Sequence, residues 1–188
     1  NINRGGYKNA YSAAEVVLNV RERLCRLFNY KDSKNVIFTQ NITQSLNFII
    51  KGFLEPKDHC IVTSMEHNAV MRPIVQLTKN GVEFSRIQCD SKGRLNPKDI
   101  LQHIKDNTKA VIMTHASNVC GTIMPIEEVG RICKENGIKL VVDSAQTAGS
   151  LPVDMEDMRI DALAFTGHKG LLGPQGIGGF IITDDMSE

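Results

Sequence analysis

Leu140-Val141-Val142-Asp143-Ser144-Ala145-Gln146 and Ala162-Leu163-Ala164-Phe165-Thr166-Gly167-His168-Lys169 share one pattern: a short apolar run that ends in polar and ionisable residues. Short apolar runs bounded by turn residues read as strands buried on both faces, the kind found in parallel sheets. The pattern recurs upstream in Val36 to Thr39, Cys60 to Thr63, Val82 to Ile87 and Ala110 to Thr114, and downstream in Ile177 to Ile182. Helical spacing fills most of the intervals. Ala13, Val16, Val17, Val20, Leu24, Leu27 and Phe28 mark the apolar side of a first helix, with Ser12 and Glu15 as its capping box. Leu46, Ile49, Ile50 and Phe53 mark a second helix, and a third runs from Asn68 to Lys79. Asn96-Pro97 opens a helix to Ile104, and another starts at Pro125 and stops at Gly137.

Strands alternating with helices predict an α/β fold: a three-layer α/β/α sandwich around a seven-stranded, mostly parallel sheet, as one domain over residues 1–188. Thr166 to Gly176 is too short and too glycine-rich for the helical crossover that a parallel neighbour needs. The last strand is therefore expected to run antiparallel. A chain of this length buries roughly two thirds of its unfolded surface on folding, so its core needs neither disulfides nor a structural metal. The 22 basic residues nearly balance the 21 acidic ones, and no long run of one sign occurs, which argues against a nucleic-acid or anionic-membrane partner. No apolar stretch is long enough to span a bilayer and no signal peptide opens the chain, so a cytoplasmic protein is expected. Cysteines 25, 60, 89, 120 and 133 include no C-x-x-C pair and read as reduced, buried thiols rather than a metal site. The chain opens without Met, at Asn1-Ile2-Asn3-Arg4-Gly5-Gly6-Tyr7, and reads as a piece of a longer protein.

Ligands of open α/β sheets bind beyond the carboxyl ends of the strands. Those ends lead into Asn41-Ile42-Thr43-Gln44-Ser45, Glu66-His67-Asn68, His115-Ala116-Ser117-Asn118, Asp143-Ser144-Ala145-Gln146 and Thr166-Gly167-His168-Lys169-Gly170. Taken singly, each has a plain structural reading. His67 suits a satisfied structural histidine, Asp143 suits a helix cap, and a lysine such as Lys169 is most often solvated. The helix entry at Thr43 offers free amides to a phosphate. Gly173-Pro174-Gln175-Gly176 matches neither a Walker A loop nor a dinucleotide fingerprint, which removes the main support for ATP or NAD.

Taken together, Val141-Val142-Asp143-Ser144-Ala145-Gln146, Gly167-His168-Lys169 and the Thr43 helix entry resemble the class V aminotransferases, pyridoxal-phosphate enzymes of fold type I. Cysteine desulfurases are the nearest branch. The resemblance runs from Asn3-Arg4-Gly5 through Thr114-His115-Ala116-Ser117-Asn118 to Gly173-Pro174-Gln175-Gly176. Carried over by position, it implies that Lys169 attaches pyridoxal 5'-phosphate covalently and moves the substrate α-proton. Asp143 would pair with the pyridine nitrogen, Gln146 with the phenolic oxygen, and His67 would stack on the ring and assist proton transfer. Thr43 with the amides around Ile42, Thr166 and His168 would hold the phosphate, and Asn118 would sit beside the ring. The resemblance also implies a cysteine-like amino-acid substrate, a homodimer, and a sulfur-acceptor protein in the service of iron–sulfur cluster assembly. No metal is implied. Selenocysteine lyase or aminotransferase chemistry, and a non-catalytic scaffold with the same fold, stay open as alternatives.

The chain also departs from the family. Nothing within it matches the sulfur-accepting cysteine loop or the carboxylate-binding arginine of the small domain, so residues 1–188 alone are expected to lack desulfurase turnover. The Asp-Asn-Ala segment at the site mouth is absent, and Ile42 stands where the family often has Thr. Cys120, in Ser117-Asn118-Val119-Cys120-Gly121, occupies a position where the family usually carries an aliphatic residue or Thr, and reads as a bystander.

Overall fold

Period-two alternation splits the strand side chains between two faces, and each face recruits its own helices. The computed structural model describes residues 8–187, so the Asn3-Arg4-Gly5 part of the resemblance lies outside the described residues. The strands are β1 (Val36–Thr39), β2 (His59–Thr63), β3 (Glu83–Ile87), β4 (Thr108–Thr114), β5 (Lys139–Asp143), β6 (Ala162–Thr166) and β7 (Gly178–Ile182). They form a single sheet in the order β1-β7-β6-β5-β4-β2-β3. The pairs β2–β3, β2–β4, β4–β5 and β5–β6 are parallel. β7 is antiparallel to both β1 and β6, as the short crossover before it requires.

The helices are α1 (Lys8–Leu27), α2 (Ile42–Phe53), α3 (Asn68–Thr78), α4 (Ile126–Glu135) and the short α5 (Asp184–Ser187). On one face Leu24 and Phe28 from the α1 end, with Val129 and Ile132 of α4, pack on Val111, Met113, Leu140, Val142, Leu163 and Phe165. On the other, Leu46 and Ile50 of α2 and Val70 and Ile74 of α3 pack on Val62, Ala110, Ile112, Val141, Ala162 and Ala164. Helices on both faces of a mostly parallel sheet complete the three layers.

Three local expectations are corrected. Ser12 and Glu15 do not cap α1, because the helix already runs at Lys8 and both residues lie inside it. An S-x-x-E pattern is tolerated in a helix interior when Ser faces solvent, as Ser12 does, and burial of Ala10 extends the packed face N-terminally. The helical period of α1 is correct but its buried stripe is rotated. Leu24, Cys25 and Phe28 are buried, whereas Val16, Val20 and Leu27 are 62%, 40% and 50% exposed. The segment after Asn96-Pro97 is a 3-10 helix, Pro97–His103, rather than an α-helix. Its three-residue period aligns Pro97, Ile100 and His103 in one row, and that row buries Pro97 and Ile100.

Backbone against backbone joins the two loops that matter most below. A Cβ on Gly149, in the loop after β5, would lie 2.5 Å from the carbonyl carbon of Gly170, next to Lys169. Gly149 also has φ +82°, a left-handed conformation that side chains resist. Gly149→Ala is expected to destabilise the chain by about 3 kcal/mol, combining overpacking with the strained backbone. That corresponds to a melting temperature lower by roughly 6–12 °C for a domain of this size, measurable by circular dichroism.

Candidate active site

Parallel strands all point their carboxyl ends the same way, so the loops after β1, β2, β4, β5 and β6 open on one rim. A cavity of about 200 Å³ lies there. Its wall contains every candidate read from the sequence: Ile42, Thr43, His67, Asn118, Asp143, Gln146, Thr166, His168 and Lys169. Asn41, Thr114, Ala116 and Ala145 also line it and were not anticipated. They lie in the same strand-end segments as the predicted residues, so their strand-end positions were the available signal. A larger groove of about 570 Å³ lies toward the other ends of the strands. There Lys139 is already paired with Asp161 and Asp185, which leaves the smaller rim cavity as the better chemical candidate.

The phosphate side begins at α2. Asn41 caps the helix by accepting the Gln44 amide on Oδ1 at 2.9 Å, and the Gln44 side chain accepts the Gln40 amide at 2.8 Å. Among the described hydrogen bonds none uses the Ile42 or Thr43 amide, so the first turn presents both, together with the positive end of the helix dipole. The Ile42 side chain is buried in the apolar cluster on the α2 side of the sheet. Ile42 therefore serves the cavity through its backbone, and the missing hydroxyl is replaced by a core anchor. Across the cavity, Thr166 Oγ1 and His168 Nδ1 lie 3.1 Å apart.

The ring side is organised by β5 and the α3 entry. Asp143 ends β5 at 3% exposure, and its Oδ1 accepts the Ala145 amide at 2.9 Å. Burial pushes its carboxyl above the ordinary carboxylate range, although the Ala145 amide, His67 and Lys169 pull it back. No ion pair among the described residues includes Asp143 or Lys169. His67 caps α3 by accepting the Ala69 amide on Nδ1 at 3.0 Å. A backbone amide can only donate, so the neutral ring carries its proton on Nε2. Proton transfer from His67 must therefore start as donation from Nε2, since the Nδ1 lone pair is committed to the helix.

Four of the five cysteines are buried and fit the expected role, whereas Cys120 is exposed. The polar surroundings supplied by Ser117 and Thr122, to whose Oγ1 the thiol donates at 3.3 Å, pull it down to about 7. It does not line the cavity, unlike its neighbour Asn118. A turn that hydrogen-bonds sulfur can lower a thiol without any adjacent Lys or His, and that signal is invisible in the sequence.

A buried carboxyl and a lysine, neither held in an ion pair, and a helix N-terminus with free amides together suit a small aromatic phosphate. The ligand would carry a basic ring nitrogen and a carbonyl able to react with the lysine. Pyridoxal 5'-phosphate has those groups, and the residues present fit it. Among the described residues no cluster of His, Cys, Asp and Glu could hold a metal ion.

This donor set on a seven-stranded α/β sheet is of the kind that suits pyridoxal 5'-phosphate. The class V aminotransferase family model matches residues 1–188, and the chain belongs to that family. It is 32% identical over 187 residues to a probable cysteine desulfurase of Methanothermobacter thermautotrophicus, covering 99% of this chain and 46% of that protein. Among solved structures, SspA in complex with cysteine superposes with a TM-score of 0.91 at 29% identity, over 96% of this chain and 53% of that one. A mutant of C-DES with glycine covalently linked to its PLP cofactor has a TM-score of 0.84 at 25% identity, over 97% of this chain and 50% of that one. The chain thus spans about half the length of the relatives it matches.

Proposed function

We propose that this chain is the cofactor-binding large domain of a cysteine desulfurase, which converts L-cysteine to L-alanine and passes the sulfur to an enzyme thiol. The observation that carries the reading is the meeting of Lys169, Asp143 and the α2 N-terminus in one cavity. When bound, pyridoxal 5'-phosphate supplies an electron sink next to the substrate's α-carbon. Lys169 holds the cofactor and then carries the α-proton on its amine. Asp143, as an anion, keeps the ring nitrogen protonated, and the nearly dry end of β5 strengthens that pairing. Gln146 would hydrogen-bond the phenolic oxygen, His67 would stack on the ring, and Asn118 would sit near the substrate amine. Thr43, the Ile42 and Thr43 amides, Thr166 and His168 hold the phosphate.

Cysteine as substrate is supported by the cysteine complex of SspA and by the relative's name. The same reading makes the whole protein a homodimer, since closed two-fold symmetry is the commonest soluble assembly. It also makes the protein a cytoplasmic sulfur donor for iron–sulfur cluster assembly. No helix among the described residues is long and apolar enough to cross a membrane.

The test is to add pyridoxal 5'-phosphate and then L-cysteine with a reductant to the full-length protein. A visible absorption band, bleached by borohydride, followed by sulfide and alanine in equal amounts, is the expected result. Sulfide with pyruvate indicates elimination instead, and a keto acid without sulfide indicates an aminotransferase. Absence of the band makes the chain a scaffold. The same assay on residues 1–188 alone is expected to give the band without sulfide, and comparable sulfide from both would place the sulfur-accepting thiol within this chain.

A further inference from the structure

A second carboxyl, near enough to Asp143 to feel its charge, is not used by the proposed reaction. Glu66 stands in the turn between β2 and α3, directly before His67, and its side chain folds back into the protein. Thr63, the last residue of β2, donates its hydroxyl proton to Glu66 Oε1 at 2.6 Å and accepts the Met65 amide at 3.1 Å. That hydroxyl therefore has no second proton to offer. Glu66 Oε2 is buried and has no hydrogen-bond partner among the described residues. None of the described ion pairs reaches Glu66. An ionised carboxylate with one dry, unpartnered oxygen and no cation is strongly disfavoured, whereas the neutral acid leaves only an unpaired polar atom.

Asp143 is likewise outside every described ion pair, but it is better partnered. Its Oδ1 holds the Ala145 amide, and the Lys169 ammonium, from the loop after β6, favours its anion, while the His67 ring stands at the α3 entry with its Nδ1 committed to the Ala69 amide. Glu66 faces Asp143 itself as its charged neighbour, and that like charge opposes ionisation. Two adjacent carboxyls in a desolvated site do not both ionise readily, and the better-partnered one keeps the charge.

We propose that Glu66 is a positioning residue of this site: it stays un-ionised behind His67, so that Asp143 presents the single negative charge to the ring nitrogen while Glu66 and Thr63 brace the His67 turn. Burial and the neighbouring Asp143 push Glu66 up to about 8, against the partial pull of the Thr63 hydroxyl and the Thr63 and Thr114 backbones. The consequence for the ring nitrogen rests on the cofactor reading above. The protonation of Glu66 does not, and it is tested without cofactor.

The experiment follows the Glu66 side-chain carbonyl carbon by nuclear magnetic resonance from pH 4 to pH 10 in uniformly ¹³C-labelled, cofactor-free chain. Assignment is through the backbone, so no variant is needed for it. A titration midpoint near 8 is expected, and Asp143→Asn is expected to lower it by about one pH unit by removing the like charge. In the parallel arm, Glu66→Gln, a neutral isostere, is expected to bind pyridoxal 5'-phosphate at pH 7 within about twofold of the parent. A midpoint below about 5 overturns the proposal, as does a midpoint unmoved by Asp143→Asn. So does a tenfold or greater loss of cofactor affinity in a Glu66→Gln protein with unchanged melting temperature, because Glu66 would then act as an anion. If neither protein binds cofactor, the titration still decides the state of Glu66, and only the cofactor reading fails.

Discussion

Lys169→Ala is expected to abolish covalent attachment of pyridoxal 5'-phosphate and to leave the fold unchanged. Lys169 is exposed to the cavity, and its ammonium enters no ion pair among the described residues, so its loss removes neither core packing nor a paired charge. Surface substitutions of that kind stay within about 0.5 kcal/mol. Gly170, which packs against Gly149, remains in place and keeps the loop where it is. The absorption band of the lysine adduct should disappear, and peptide mapping after borohydride reduction of the parent should find the label on Lys169. A label on any other lysine would overturn the assignment. Because the cavity still offers the α2 amides and the Thr166–His168 pair, non-covalent binding of the phosphate is expected to survive at reduced affinity.

Asp143→Asn separates the structural reading of this residue from the chemical one. The asparagine side-chain oxygen can still accept the Ala145 amide, so the turn after β5 is expected to keep its conformation. What disappears is the negative charge facing the ring nitrogen. Removing one partner of a buried charge pair costs about 3–5 kcal/mol. At about 1.4 kcal/mol per factor of ten, exchange of the substrate α-proton in the loaded full-length protein should slow roughly a hundredfold to several-thousandfold. Exchange can be followed in deuterated water by the loss of the α-proton signal. Unchanged exchange, with an unchanged melting temperature, would reduce Asp143 to a cap.

Both substitutions act on residues that are legible in the amino-acid sequence, because the sheet converts a one-dimensional pattern into a place. Each of β1, β2, β4, β5 and β6 ends in polar residues, and parallel strands deliver those ends to one rim. Glu66 is legible only as a residue type. A carboxylate in a polar turn reads as solvated surface, and nothing in Glu66-His67-Asn68 indicates that the side chain folds inward beside Thr63. The state of Cys120 is hidden for the same reason, since its hydrogen bonds come from a turn that closes in three dimensions.

By itself, the sequence determined the elements whose causes are local. Apolar runs made the strands, Asn41 and Asn96 made caps, Gly137 ended α4 with φ +67°, and the short Thr166–Gly176 crossover forced β7 to reverse. Tertiary structure alone decided the strand order. It placed β7 between β1 and β6, far apart in sequence, because each antiparallel ladder can close only when the intervening layers have packed. It also selected which stripe of α1 is buried, since more of that helix is apolar than one sheet face can cover. Finally, it set the unequal partnering of Glu66 and Asp143, because desolvation depends on what packs around a group rather than on the residues next to it in the chain.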